Sequence, residues 1–218
     1  MNNNLTTIYV VRHGESEGGI GITQKNTSKF ESPLTLNGII QAKEIAEKLK
    51  NVGFAAVFSS KLLRARQTAK IIKLQKNIII KSVEAINERN SSDYAKKIGK
   101  AEDEIFEEMK IDLSKLQDEK KLSYKHSSQM ESAGESAIRL ITFLREIAIA
   151  HKGQNLLVVS HGNLMRNVLT HLGFVKYDDL PHGAITNTGY FVLESNGIEF
   201  FLKEMIGINI QKGKTRIW

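Results

Sequence analysis

Two of the six histidines occupy the same local setting. His13 follows the β-branched run Leu5–Val11 by way of Arg12, and His161 follows Leu156–Val159 by way of Ser160; glycine succeeds each. An apolar run that stops abruptly at polar residues reads as a buried strand delivering a loop. In open α/β sheets the loops at the carboxyl ends of the strands build the ligand site, so two such histidines can converge. Either histidine alone would be read as an ordinary loop residue. Their company changes that reading. Arg12 precedes His13, Arg64 lies one turn into a helix after the short run Phe54–Phe58, Asn163 stands two residues after His161, and Glu88 closes the loop after a third run, Ile78–Ile80. Together these are two guanidinium forks, an amide, two imidazoles and a carboxyl. Guanidinium forks match phosphate oxygens bidentately. A neutral, oriented imidazole can act as a nucleophile, and a carboxyl can give a proton to a leaving oxygen. The set suits a phosphoryl group.

The elements that must position these groups follow from the pattern. Thr35 caps a helix with Leu36, Ile39, Ile40, Ala46 and Leu49 at helical spacing. A second helix runs from about Leu62 to Leu74. Gly134–His151 is amphipathic, with Ile138, Ile141, Leu144, Ile147 and Ala148 on one face. A further helix follows Ser160-His161-Gly162-Asn163 and runs to about Leu172. Tyr190–Leu193 and Ile198–Phe200 pair as a hairpin around Ser195-Asn196-Gly197. Alternating strands and helices predict an α/β protein with a mostly parallel sheet. The stretch 90–129 is charged and poor in β-branched runs, with a helix around Glu102–Met109. It reads as an insertion over the core of one domain spanning 1–218.

Composition narrows the setting. The chain has 218 residues, 41% of them hydrophobic, enough for a real core. It has no cysteine, so disulfides and thiolate metal sites are excluded and a reducing compartment is expected. The opening residues are polar and the apolar run that follows is too short for a signal-peptide core. No segment approaches the ~20 apolar residues of a membrane helix. A cytoplasmic protein without a membrane partner is expected. The net charge of +7 favours anionic partners. Aromatic residues, at 7%, do not alternate with a basic stripe, so nucleic acid is not expected.

At this point the sequence resembles a known family. Arg12-His13-Gly14-Glu15-Ser16 is similar to the signature of the histidine phosphatase superfamily, which includes cofactor-dependent phosphoglycerate mutases and many phosphatases. Pro33-Leu34-Thr35 with Gly38, Gln41 and Ala42, then Ser59–Ala69 with Arg64, resemble its next blocks. Ile86-Asn87-Glu88-Arg89, Ser132–Ser136 and Val159–Asn163 with Arg166 resemble the remainder. Six blocks in order make a chance match improbable. The resemblance implies a phosphoglycerate mutase-like three-layer sandwich, its mostly parallel central sheet flanked by helices, with a helical insertion over the site. It implies that His13 takes the phosphoryl group, its other ring nitrogen held by a backbone carbonyl. Arg12, Arg64 and His161 hold the phosphoryl oxygens, and Glu88 serves as acid and then base. Asn163, Gly162, Ser16, Gly19 and Arg89 complete the substrate-binding set. Neither a metal nor another cofactor is called for.

Two departures matter. Relatives carry asparagine where this chain has Gly19, so a donor is missing there. Ser91 replaces an expected aromatic residue, and no arginine lies between Lys110 and Gln129, where mutases carry a pair that grips a carboxylate. A phosphatase for small phosphorylated metabolites is therefore expected ahead of a mutase. A phosphate- or protein-binding module is the third reading. Lys96, Lys97 and Lys100 can bind the rest of an anionic substrate or form a solvated helix face. His182 is placed to approach the site, and Glu135 either caps its helix or bonds a site group. A homodimer is among the states the resemblance allows.

Overall fold

A computed structural model of the chain describes residues 5–21, 31–73, 78–89, 92–100 and 102–211. The basic tail Lys212–Trp218, the Ser91 departure and the side chain of Lys96 lie outside the described residues. Strand β4 (Asn155–Ser160) occupies the middle of the sheet, and Leu156, Leu157, Val158 and Val159 are fully buried. A strand apolar on both faces belongs where helices cover both sides. On one side β4 pairs in parallel with β1 (Thr6–Arg12), and on the other with β2 (Phe54–Ser60), which pairs in parallel with β3 (Ile80–Val83). Strand β5 (Ile185–Ser195) runs antiparallel to β1, and β6 (Phe200–Ile208) antiparallel to β5, giving the order β3-β2-β4-β1-β5-β6.

Helices α1 (Leu36–Lys48) and α2 (Leu63–Ile72) cover one face, where Val11, Leu157 and Val159 meet Ile45, Ala65 and Ala69. Helices α6 (Ala133–Ala150) and α7 (Gly162–His171) cover the other, where Val10 and Val158 meet Leu140, Leu144, Leu164 and Val168. The architecture is a three-layer α/β sandwich with a mostly parallel sheet. Thr35 caps α1, its Oγ1 accepting from the Gly38 amide at 3.0 Å. Ser132 and Glu135 form a reciprocal capping box at α6, which accounts for Glu135. No helix among the described residues is long and apolar enough to cross a membrane.

Several details differ from the sequence reading. Leu36 and Ile40 on α1, and Ile138 on α6, point to solvent. The packed face of α1 is Gly38, Ala42 and Ile45, because small residues let this helix approach the sheet closely. β3 starts at Ile80 and extends past the apolar run, as an edge strand buried on neither face does. Arg64 lies in the first turn of α2, nearer the strand end than expected. The second strand of the hairpin starts at Phe200, and Asn196 Oδ1 closes the turn by accepting from the amides of Ile198 and Glu199 at 2.9 and 2.8 Å.

The insertion is more helical than expected, with α3 (Ser92–Ile98), α4 (Glu102–Ser114) and α5 (Asp118–Lys121). Ala95, Ile105, Met109 and Met130 form a small core of its own. Lys121, buried, ties it down by pairing with Asp118 at 2.9 Å and with both carboxylate oxygens of Asp178 at 2.5 Å.

Candidate active site

The sheet register sets the site. Arg12 on β1 pairs with Ser160 on β4, so His13 and His161 leave neighbouring strands at the same level. Their ring centroids lie 5.0 Å apart. The His13 amide donates to the Ser160 carbonyl at 3.0 Å, carrying the parallel ladder one residue past the strand. Glycine at position 14 permits the next step, since a Cβ there would stand 2.5 Å from the Gly38 carbonyl oxygen.

Each imidazole has a defined tautomer. His13 Nδ1–H donates to the Gly14 carbonyl at 2.7 Å, and Arg64 Nε–H donates to His13 Nε2 at 3.1 Å. The lone pair of His13 is therefore on Nε2. Ser60 Oγ donates to Asn87 Oδ1 at 2.8 Å and so accepts from His161 Nε2–H, also at 2.8 Å. The His161 lone pair is then on Nδ1, 3.5 Å from Arg64 Nη2. Both pKa values are pushed well below the ordinary histidine value, first by burial and then by the Arg64 charge. Both rings rest neutral.

The cations are buried as well. Arg64 is pulled down to about 10 by burial, against the opposing charge of Glu88. Arg12 donates from Nη1 to the Ile185 carbonyl, while its Nε is buried without a partner. Gly162 leaves room for it, because a Cβ there would stand 3.2 Å from that Nε. Glu88 accepts from the amides of Leu164 (3.1 Å), Asn163 (3.3 Å) and Arg89 (2.9 Å), so its carboxyl sits on the amino end of α7. Burial raises its pKa, and the amides with Arg64 and Arg12 only partly offset that. Burial therefore favours the protonated carboxyl more than in a free glutamate.

Arg12, His13, Glu88, Gly162 and Asn163 line a cavity of about 80 Å³. Arg166 and the segment from Pro181 to Ile185 also line it, and the His182 ring meets Phe106 of α4 at 5.8 Å. Arg64 and His161 are not among the lining residues but contact His13, through the 3.1 Å Arg64 Nε–His13 Nε2 bond and the 5.0 Å ring approach. The remaining candidates are placed differently. Ser16 is buried in a bridge with Leu34. The Gly19 amide is committed to the Ser16 carbonyl at 2.9 Å and does not line the cavity. The Arg89 guanidinium turns to the Glu131 carbonyl at 2.5 Å. Lys97 bonds Gln129 and Lys100 bonds Glu108, both on the surface. Among the described residues no cluster of three or more His, Cys, Asp or Glu could hold a metal ion.

Sequence reasoning passed over the supports. Ser60 and Asn87 fix His161. Thr68, one turn beyond Arg64, accepts from the Gly14 amide at 3.1 Å. Arg139 on α6 donates to the carbonyls of Ala85 (2.7 Å) and Asn87 (3.1 Å) and forks onto Glu131, holding the Glu88 loop. The one available signal was position: Ser60 ends a strand beside two catalytic-type loops.

Comparison with known proteins agrees with this geometry. Residues 8–206 match the family described as histidine phosphatase superfamily (branch 1). The "uncharacterized phosphatase PhoE" of Bacillus subtilis (strain 168) is 29% identical over 168 residues, 77% of this chain and 78% of that protein. A 2,3-bisphosphoglycerate-dependent phosphoglycerate mutase of Cytophaga hutchinsonii is 29% identical over 187 residues, 82% of each. Among solved structures, YhfR of Bacillus stearothermophilus superimposes with a TM-score of 0.72 at 25% identity, covering 90% of this chain and 95% of its own.

Proposed function

Because this chain belongs to the histidine phosphatase superfamily, we propose that it is a metal-independent phosphomonoesterase acting on small phosphorylated metabolites through a phosphohistidine at His13. The observation that carries the reading is the fixed, neutral His13 ring, with its Nδ1 proton on Gly14 and its Nε2 lone pair facing Arg64. An arriving phosphoryl group draws the Arg64 fork onto its oxygens and frees that lone pair. Nε2 bonds to phosphorus, the phosphorus–oxygen bond to the leaving group breaks, and the Glu88 proton passes to the leaving oxygen. Glu88, now a carboxylate, takes a proton from water. The resulting hydroxide attacks phosphorus and the nitrogen–phosphorus bond breaks, releasing phosphate and the free ring. Arg12, Arg64 and His161 stabilise the charge on the transferring oxygens. Arginines supply the positive charge that a metal provides elsewhere. The absence of cysteine fits a cytoplasmic enzyme.

The test is hydrolysis of p-nitrophenyl phosphate between pH 5 and 8 with chelator present, for the wild type and His13→Ala. Activity that survives chelator and disappears in the variant supports the reading. Activity that persists without His13 refutes it. A mutase is the second reading, favoured by the Cytophaga hutchinsonii relative and opposed by the lack of arginine between Lys110 and Gln129. Interconversion of phosphoglycerates that requires 2,3-bisphosphoglycerate, without hydrolysis, would select it.

A further inference from the structure

The antiparallel strand β5 departs from regular geometry where it passes the site. Its register with β6 slips between Ile185 and Tyr190, although its pairing with β1 is regular from Tyr190 onward. Bulges of this kind re-aim groups beside active sites. This one is built into the sequence. Thr188 has φ of 57°, a conformation that a β-branched residue adopts only under constraint. A Cβ at Gly189 would stand 2.7 Å from the Gly207 carbonyl oxygen. Thr186 Oγ1, which does not line the cavity, donates to that same carbonyl at 3.0 Å.

The corner meets Arg12 and His13. The Ile185 carbonyl takes the Arg12 guanidinium. Asn187 Nδ2 and the Thr188 amide both donate to the His13 carbonyl, at 3.3 and 3.4 Å. The other end of the same peptide unit, the Gly14 amide, is held by Thr68 Oγ1 at 3.1 Å. That peptide plane is therefore gripped at both ends, and, together with Gln41 Oε1, which takes the Glu15 amide at 2.8 Å, it sets where the next carbonyl, that of Gly14, points. This carbonyl takes the Nδ1 proton of His13. If it swings away, the neutral ring is free to carry its proton on Nε2, and Nε2 then has no lone pair for phosphorus.

We propose that Asn187 and Thr188 of the β5 corner are positioning residues for His13, fixing the His13–Gly14 peptide so that Gly14 holds the Nδ1 proton and Nε2 stays nucleophilic. The functional half of this inference rests on the reading of His13 as nucleophile. Asn187 touches the backbone and not the cavity, so its loss should appear in turnover and not in substrate binding.

The experiment compares Asn187→Ala and Asn187→Asp with the wild type, using Thr186→Ala as a control from the same bulge. The aspartate keeps the shape of asparagine and puts an acceptor against an acceptor. Both Asn187 variants should lower kcat on p-nitrophenyl phosphate by about tenfold or more with KM little changed, as small misplacements of a reacting group do. Nitrogen-15 resonances of the His13 ring should move from a pure Nδ1–H tautomer in the wild type to a mixture. Thr186→Ala should leave both readouts unchanged. A wild-type tautomer in both Asn187 variants, or an equal loss in Thr186→Ala, overturns the inference. If the wild type does not hydrolyse the ester, the phosphatase reading fails by itself, and the ring resonances still decide whether the corner sets the tautomer.

Discussion

Gly38 lies in α1, away from the cavity, yet replacing it should damage both stability and chemistry. A Cβ at position 38 would stand 1.9 Å from the Glu15 carbonyl oxygen and 3.0 Å from its amide nitrogen. That is about 1.5 Å short of an ordinary contact, and no flexible side-chain end is available to yield. The Glu15 carbonyl is already engaged by the Thr35 amide at 3.0 Å, and a Cβ at Gly14 would itself stand 2.5 Å from the Gly38 carbonyl oxygen. Either α1 or the loop 13–16 must therefore move by on the order of 1 Å. Overpacking against backbone belongs at or above the upper end of the usual range, about 3 kcal/mol. For a chain of 218 residues that lowers Tm by roughly 6–12 °C. If His13 is the nucleophile proposed above, a displacement of that size in its loop should cost on the order of 100-fold in kcat/KM. The assay is a thermal melt together with p-nitrophenyl phosphate kinetics on Gly38→Ala. Gly53→Ala is the control, since nothing lies within 4 Å of a Cβ there, and it should be neutral or stabilising by up to about 1 kcal/mol. A Gly38→Ala protein that melts within about 2 °C of wild type with more than about half the activity would refute the argument from close approach.

Ser60→Ala leaves His161 Nε2–H buried and unpaired, which should cost about 1–3 kcal/mol. Urea midpoints check this, and no change would mean that the ring does not donate to Ser60. Glu88→Gln should cost about 10²–10⁴ in rate on alkyl phosphates, whose leaving oxygen needs a proton, and much less on p-nitrophenyl phosphate. Equal losses on the two substrates would remove Glu88 from the acid role. His13 and His161 are held neutral, so below the unfolded histidine value of about 6.5 the unfolded chain takes up protons that the native site refuses. Their contribution is full above that pH and falls as pH drops, by up to about 1.4 kcal/mol per pH unit for each ring. Glu88 has the opposite sign, because its raised value makes its contribution greatest in acid and lost as pH rises through the folded value. The net expectation is a lower urea midpoint at pH 5.5 than at pH 7.5. A flat profile in the wild type would mean that the rings are not held neutral.

The convergence of His13 and His161 was legible because each follows an apolar strand whose end the sequence marks abruptly. Parallel pairing then brings His13 and His161 together without further information. What was not legible depends on neighbours distant in sequence. The outward face of α1 was misassigned because its packing uses Gly38 and Ala42, which a hydrophobic pattern weighs less than Leu36 and Ile40. β3 at the sheet edge has no alternation to find. Ser60 and Asn87 meet across 27 positions and follow no period. The insertion helices rest on a small core, so their apolar signal is faint. The slipped register of β5 leaves no mark beyond a glycine.

The insertion carries its own small core and is fastened by Lys121 to Asp178, on the loop leading to the cavity wall, whereas His13, Arg64, Glu88 and His161 all arise outside it. The groups around His13 and the segment whose Phe106 meets His182 at the cavity wall are thus held by separate packing. Residues 92–130 can therefore be repacked with little strain on the groups around His13, provided the buried Lys121–Asp178 anchor is kept.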